Sequence, residues 1–359
     1  MGWGAGGSCA HSTPRWRTCE SAALLGSQTA ATRQSTRETS VRKEERVGWR
    51  HAASTRWLQA AHKALYGVLR GPRDVEEPAL CPRLSAAQVA SDPSAAALHL
   101  TQAGVLRVDG VIDKALARAL HAQCEQQLEL ALRHLRSGGA RPTDWLAEHL
   151  LSLGPDLGKR HDCKLPLLPH VREALAQALR TLAAPIRLVV GSDAELFELS
   201  VVVSEPGCGR QPLHADFPQY ADGEGAVAIV AFVATHDLRA TMGPTIFLPR
   251  THTAQFHAAF DATADDVDAR EKLLAAQPAV SPVLRSGDVV LMDSALIHGG
   301  GANIVSRRAL FHFSFKRPDA YPGGRFSSLL ESLRGKHFLN EADDWLAEAP
   351  VDEATGMVL

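Results

Sequence analysis

The chain has 359 residues, a formal net charge of −2, 45% apolar residues and 22% charged residues. These values suit a soluble globular chain that buries its own core, and the near-neutral charge argues against a nucleic-acid partner. No apolar run approaches the roughly 20 residues of a membrane helix; the longest, Ala226–Ala234, is about half that.

Six cysteines are scattered with no C-x-x-C pair or zinc spacing. No secretory signal opens the chain, so the expected location is intracellular, in the cytoplasm. Residues 1–56 are rich in Gly, Ser, Thr and Arg and carry little apolar periodicity. They are expected to be a disordered tail; the alternative is an organelle transit peptide, against which Glu38, Glu44 and Glu45 speak.

From Trp57, apolar residues at three- and four-residue spacing predict a helix, followed by a Pro-rich break at Gly71–Pro82. Leu84–Leu100 reads as helix interrupted at Pro93, and Gly104–Gly110 as a strand ending in a turn. Asp113 is placed to cap a long helix to Arg136, which Gly138-Gly139 would end. The polar cluster Arg160–Lys164 reads as a solvated loop, with a reach over a barrel mouth to bind an acidic substrate group as the alternative. Val171–Leu182 is a helix expected to stop before Pro185. The second half changes character. Leu196–Ser204, Val227–Thr235, Thr245–Leu248, Val289–Met292 and Ala309–Phe315 are short β-type runs between Gly, Pro and Asp turns. A further helix-like stretch covers Ser327–Leu333. Helices followed by strands predict a β-barrel or sandwich braced by helices. The expected organisation is a tail over 1–56, a helical support region with the first core strand over 57–185, a catalytic core over 186–318, and a packing tail over 319–359.

His214-Ala215-Asp216 sets an imidazole and a carboxylate two residues apart, on one face if the segment is extended. His298 follows the run Val289–Met292 and leads a Gly run that permits close backbone approach to a ligand. Two His and one carboxylate on one face of a ferrous ion leave positions open for a chelating co-substrate and dioxygen. An H-x-D triplet is common by chance among sixteen histidines, so the case rests on the company it keeps. Ten residues after His298 comes Arg308, which shares a strand face with Leu310, His312 and Ser314, while Phe311, Phe313 and Phe315 take the other. An inward guanidinium needs a counter-charge and suits a bidentate carboxylate such as that of 2-oxoglutarate. Arg307 points the other way and is the alternative anchor. His236 and His252 read as structural, and a zinc site among His252, His257, His298 and His312 lacks closed tetrahedral spacing.

These landmarks carry a resemblance. Gly104-Val-Leu-Arg-Val-Asp-Gly110, Gln211-Pro-Leu-His-Ala-Asp216, Gly243-Pro-Thr-Ile-Phe-Leu-Pro-Arg-Thr-His252, His298-Gly-Gly-Gly-Ala-Asn303 and Arg308 together resemble the phytanoyl-CoA dioxygenase family, from about Leu84 to Pro318. The resemblance implies a mainly β fold with supporting helices, a double-stranded β-helix or jelly roll. It implies Fe(II), 2-oxoglutarate and O2 as the reaction's partners, with His214, Asp216 and His298 on the metal. It adds Gln211 and Thr245 as contacts of 2-oxoglutarate beside Arg308. One departure is Arg250, which stands where similar sequences carry Gly; if that position needs a positive φ, the turn must be reshaped. The expected reaction is hydroxylation of a small-molecule or lipid-like substrate with release of succinate and CO2. Desaturation or epoxidation on the same iron, or a non-catalytic binding role on the same barrel, are the alternatives. Asp216 disfavours halogenation, since a Gly or Ala there would vacate a site for halide.

Overall fold

Alternating apolar residues decide the architecture of the second half, because every second side chain of a strand meets the same neighbour. The computed structural model describes residues 80–137, 150–152, 159–217, 225–320 and 327–347, all within one compact unit, Thr55–Leu359. The expected tail, the helix from Trp57 and the Gly138-Gly139 stop lie outside the described residues.

In chain order the elements begin with β1 Arg83–Ser85, α1 Ala86–Ser91, α2 Pro93–Ala103, β2 Val105–Asp109 and α3 Lys114–Ser137. They continue with β3 Leu150–Ser152, β4 Arg160–Lys164, α4 Pro169–Val190, β5 Glu195–Ser204, β6 Ala228–Ala234 and β7 Thr245–Phe247. Then come α5 Ala254–Asp261, α6 Val267–Ala275, β8 Val289–Asp293, β9 His298–Gly300, β10 Arg308–Lys316 and α7 Ala342–Ala347. Eight strands form one sheet in the order β1-β2-β8-β6-β10-β5-β4-β3, and β7 pairs with β9 in a small second sheet. All pairs are antiparallel except β1 with β2. A large sheet and a small sheet, with helices on the outside, make the jelly roll expected from the sequence.

Strand parity sorts the core into two layers. Phe311, Phe313 and Phe315 of β10 join Leu199, Val201 and Val203 of β5 in a cluster with Leu120 and Leu128 of α3 and Leu175 and Leu182 of α4. The opposite face carries Leu310 with Phe232, Val290 and Met292, packed on Phe247 and Leu296. Helices therefore seal one face, and the other looks into the barrel. The break at Pro93 is as expected: Pro93 opens α2 and the Asp92 side chain accepts from the Ala95 amide. Asp113 caps α3 by accepting from the amides of Ala115 and Leu116, both at 2.9 Å.

Four expectations change. The helix over Val171–Leu182 runs on through Pro185 to Val190. The proline removes one hydrogen bond, yet Pro185, Ile186 and Val190 are all buried, and that apolar burial outweighs the loss. Arg160–Lys164 is not a solvated loop but strand β4, buried along its whole length and paired with β5. Ser327–Leu333 is helical only as a 3-10 turn at Glu331–Leu333, while the Ser328 carbonyl accepts from the Leu199 amide and so extends the sheet edge beyond β4. Finally, four strands rather than one precede residue 186, which itself lies inside α4. No helix among the described residues is long and apolar enough to cross a membrane.

Candidate metal and co-substrate site

His214 and His298 face each other across a two-bond antiparallel bridge: the His214 amide donates to the His298 carbonyl at 2.9 Å, and the His298 amide to the His214 carbonyl at 2.8 Å. Directly opposed residues put their side chains on one face, and the two rings lie 4.6 Å apart between centroids. The chain then turns so that the amides of Asp216 and Phe217 both donate to the Ser294 carbonyl, which holds Asp216 beside the pair. Nε2 of His214 is 3.7 Å from Oδ1 of Asp216, and Nε2 of His298 is 3.6 Å from Oδ2. One ligating atom from each of the three residues lies within 4.8 Å of the others.

The tautomers suit a cation. Nδ1 of His214 faces the Pro212 carbonyl at 2.8 Å, and Nδ1 of His298 faces the Leu296 carbonyl at 3.0 Å. A carbonyl only accepts, so each Nδ1 carries a proton, which leaves Nε2 as the ring atom that can bind a cation. Such backbone acceptors behind ligating imidazoles fix ring orientation and raise ligand basicity. Neighbouring ligands at about 2.1 Å from one ion would stand about 3 Å apart, so the gaps of 3.6 and 3.7 Å close onto a divalent ion with sub-ångström movement. Among the described residues no other group of three His, Cys, Asp or Glu side chains could hold a metal. The remaining histidines of the zinc alternative are tied down elsewhere: Nε2 of His252 bonds the Thr101 carbonyl and Nε2 of His257 the Ala295 carbonyl.

Arg308 opens β10 with its side chain wholly inside the barrel. Nη1 donates to the Gly243 carbonyl and Nη2 to Oγ of Ser204 at 3.1 Å, while Nε has no partner. No carboxylate of the described residues pairs with it. Burial, together with the neighbouring charge of Arg160, pushes the Arg308 guanidinium down to about 9, so it stays cationic at neutral pH and lacks a counter-ion. Arg307 does point the other way: it is ion-paired with Glu125, Glu129 and Glu205 on the outside of the sheet.

Arg160, read from the sequence as part of a solvated loop or of a cluster reaching over the barrel mouth, lies inside the barrel. It sits opposite Ser204 on β4, is 1% exposed, and donates through Nη1 to the same Ser204 Oγ at 2.7 Å. Two guanidiniums thus share one hydroxyl. Gly300 brings the remaining candidates to this end: its amide donates to Oε1 of Gln211 at 2.9 Å, and Thr245 is its partner across the small sheet. A Cβ on Gly300 would overlap Nη1 of Arg160, so the Gly run admits the arginine here. The structure therefore brings Arg308, Gln211 and Thr245 to one end of the site, and His214, Asp216 and His298 to the other. The turn at Arg250 is not reshaped: Arg250 itself takes φ +68°, and its amide donates to the Ala103 carbonyl.

Residues 100–309, more than half of the chain, match the family model described as phytanoyl-CoA dioxygenase. The chain belongs to the phytanoyl-CoA dioxygenase family. Solved structures similar to this family member include the non-heme alpha ketoglutarate dependent carbocyclase SnoK from nogalamycin biosynthesis, at 19% identity over 68% of this chain and 90% of that one, with a TM-score of 0.49. The epimerase SnoN from the same biosynthesis is 22% identical over 69% of this chain and 98% of that one, with a TM-score of 0.47. HygX from Streptomyces hygroscopicus, with nickel, 2-oxoglutarate and hygromycin B bound, is 17% identical over 67% and 93%, with a TM-score of 0.40. No curated protein matches the chain in sequence. For a phytanoyl-CoA dioxygenase family member, an oxidoreductase dependent on iron and 2-oxoglutarate, the donor set fits the implied metal: two imidazoles and one carboxylate are hard to borderline ligands suited to Fe(II).

Proposed function

We propose that this chain is an Fe(II)/2-oxoglutarate-dependent dioxygenase that hydroxylates a small-molecule substrate with release of succinate and CO2. His214, Asp216 and His298 hold the iron, and Arg308 anchors the far carboxylate of 2-oxoglutarate, with Arg160, Gln211 and Thr245 beside it. The observation that carries the reading is the convergence of two imidazole Nε2 atoms, each with its Nδ1 on a backbone carbonyl, onto one carboxylate.

When bound, iron and 2-oxoglutarate supply the oxidising chemistry: one atom of dioxygen ends in succinate, the other in the substrate hydroxyl, and one carboxyl leaves as CO2. The chain's own residues bind, orient and exclude water. Arg308 and Arg160 present N–H donors and positive charge in a site closed to solvent, where a carboxylate interaction is stronger than in water. Gln211 keeps β9 in place through the Gly300 amide, and so holds the metal end in register with the arginine end. His298 lies under Phe232 and Phe247, at 6.4 and 6.3 Å between centroids, which shield it from solvent. Thr245, which shares the Gly300 edge, offers a hydroxyl to the same carboxylate.

The test is release of succinate from 2-oxoglutarate by the iron-loaded protein, with slow uncoupled turnover in the absence of substrate and stimulation by the true one. No consumption of 2-oxoglutarate under any metal loading would defeat the reading.

A further inference from the structure

The inner face of the large sheet is polar well beyond the groups that iron and 2-oxoglutarate require. Strand register puts Asp162 of β4, Ser200 and Glu198 of β5, and His312 and Ser314 of β10 on the barrel side. Each of these residues is less than one-tenth exposed. Nε2 of His312 lies 3.4 Å from Oε2 of Glu198, its Nδ1 lies 3.1 Å from Oγ of Ser200, and Asp162 is bonded by the Ser328 hydroxyl. Nε2 of His312 and Oε2 of Glu198 have only this long mutual contact, and Oδ1 of Asp162 and Oγ of Ser314 make no hydrogen bond among the described residues. Buried polar atoms left so cost stability, which a sequence optimised only for packing would not retain.

The cluster adjoins the metal end. Phe232 stacks on His312 at 5.1 Å and also lies 6.4 Å from the His298 ring. Burial disfavours charge on His312, but Glu198 foremost, then Asp162 and Asp216, overcome it and push the imidazole up to about 9. Nε2 of His312 is therefore a donor and Glu198 its acceptor, while the Ser314 hydroxyl and the Asp162 carboxyl, which burial pushes up, can each serve as either. An aromatic pair lies beside the metal end as well: Phe217, directly after Asp216, packs edge-on against Phe197 at 5.3 Å.

We propose that Asp162, Glu198, His312 and Ser314 form the substrate's polar subsite, and that the substrate is a hydroxyl-rich small molecule, sugar-like in its pattern of donors and acceptors, rather than a fatty acyl chain. This rests on the oxygenase reading above. Adjacent hydroxyls can donate to Glu198 and Asp162 while accepting from His312, and a ring's apolar edge can rest on Phe197 and Phe217. An acyl chain would instead leave Oδ1 of Asp162 and the Ser314 hydroxyl unbonded, and would bring an apolar surface against the buried His312–Glu198 pair.

Saturation-transfer NMR on the nickel-substituted protein with 2-oxoglutarate bound tests this without turnover. The probes are methyl glucoside, glucosamine and myo-inositol against palmitoyl-CoA. Saturation of at least one hydroxyl-rich probe is expected, and binding at least tenfold weaker in Glu198→Gln and Ser314→Ala, with 2-oxoglutarate affinity unchanged and circular dichroism native at the assay temperature. Binding of palmitoyl-CoA alone, no binding of any hydroxyl-rich probe at millimolar concentration, or equal binding by both variants would overturn the proposal. Failure of the wild type to bind 2-oxoglutarate would instead overturn the oxygenase reading beneath it.

Discussion

Removing Arg308 should separate binding from stability. In the wild type this guanidinium is fully buried, has an unpartnered Nε, and stands beside a second buried arginine that shares Ser204 with it. A carboxylate arriving there gains charge-assisted hydrogen bonds worth about 1.5–3 kcal/mol each. Two of them amount to about 3 kcal/mol or more, or roughly two decades of affinity. Relief of the repulsion from Arg160 offsets part of the loss, so Arg308→Met is expected to weaken 2-oxoglutarate binding by at least tenfold and up to about a hundredfold. The protein without 2-oxoglutarate should respond differently. Methionine replaces an uncompensated buried charge with apolar volume, a change that is often neutral or stabilising. It also leaves the Gly243 carbonyl short of a donor, which pulls the other way. The melting temperature of the 2-oxoglutarate-free protein should therefore hold or rise by up to about 3 °C, given about 2–4 °C per kcal/mol in a domain of this size. Calorimetric titration of 2-oxoglutarate into the manganese-loaded protein, with a melting curve of each variant, measures both quantities. Arg307→Ala is the control: it breaks surface ion pairs and should leave 2-oxoglutarate affinity within a factor of two. A change below threefold for Arg308→Met, or a larger loss in Arg307→Ala, would refute the reasoning.

Single alanine substitutions at His214, Asp216 and His298 should each abolish iron-dependent 2-oxoglutarate consumption while circular dichroism stays native, since none of the three is a core hydrophobe. Arg250→Gly should raise stability by about 1 kcal/mol in denaturant unfolding, because Arg250 holds φ +68° against the steric preference of an L-residue; a loss would mean that the Arg250 side chain offsets the strain. Gly287→Ala should cost more than about 2 kcal/mol, since Gly287 sits at φ +89° and a Cβ there would overlap the Ile112 carbonyl, to which no flexible side chain offers relief. A stable Gly287→Ala protein would show that the turn into β8 can move. Stability should also depend on His312. Its folded-state pKa of about 9 stands above the ordinary value of 6.5, so its stabilising contribution is complete below about pH 6.5 and is lost as pH rises through 9. His312→Gln should flatten that part of the stability profile, as chemical denaturation between pH 6 and 10 would reveal.

Where packing decided a segment, the sequence was readable. Ala309–Phe315 alternates because one face meets helices and the other the barrel, Val289–Met292 is apolar throughout because both its faces are buried, and both appear as strands within a residue or two of the expected ends. His214 and His298 share a face as opposed bridge partners and Arg308 lies on the inner face of β10, as parity suggests, whereas Asp216 reaches the pair through a turn and not along an extended strand. β4 was not. Arg160, Asp162 and Lys164 point into the barrel, so its buried face is charged, and a strand whose inner side is a site rather than a core carries no apolar signal. The same cause hid the His312–Glu198 pair, whose members are 114 residues apart and meet only through the β5–β10 register. Pro185 misled in the opposite way, because a local helix breaker gave way to the buried face of α4. Arg250 shows that a turn can keep its geometry with an unfavourable residue when the flanking backbone, here bonded to Ala103, over-determines it.

The most direct test of the metal and co-substrate site is anaerobic. Fe(II) is titrated into the full-length protein in the presence of 2-oxoglutarate, and the visible metal-to-ligand charge-transfer absorption is followed. The wild type should develop the band with one iron per chain, and His298→Ala should not. Absence of the band in the wild type, or its full retention in His298→Ala, would contradict the assignment of His214, Asp216 and His298 as the iron ligands.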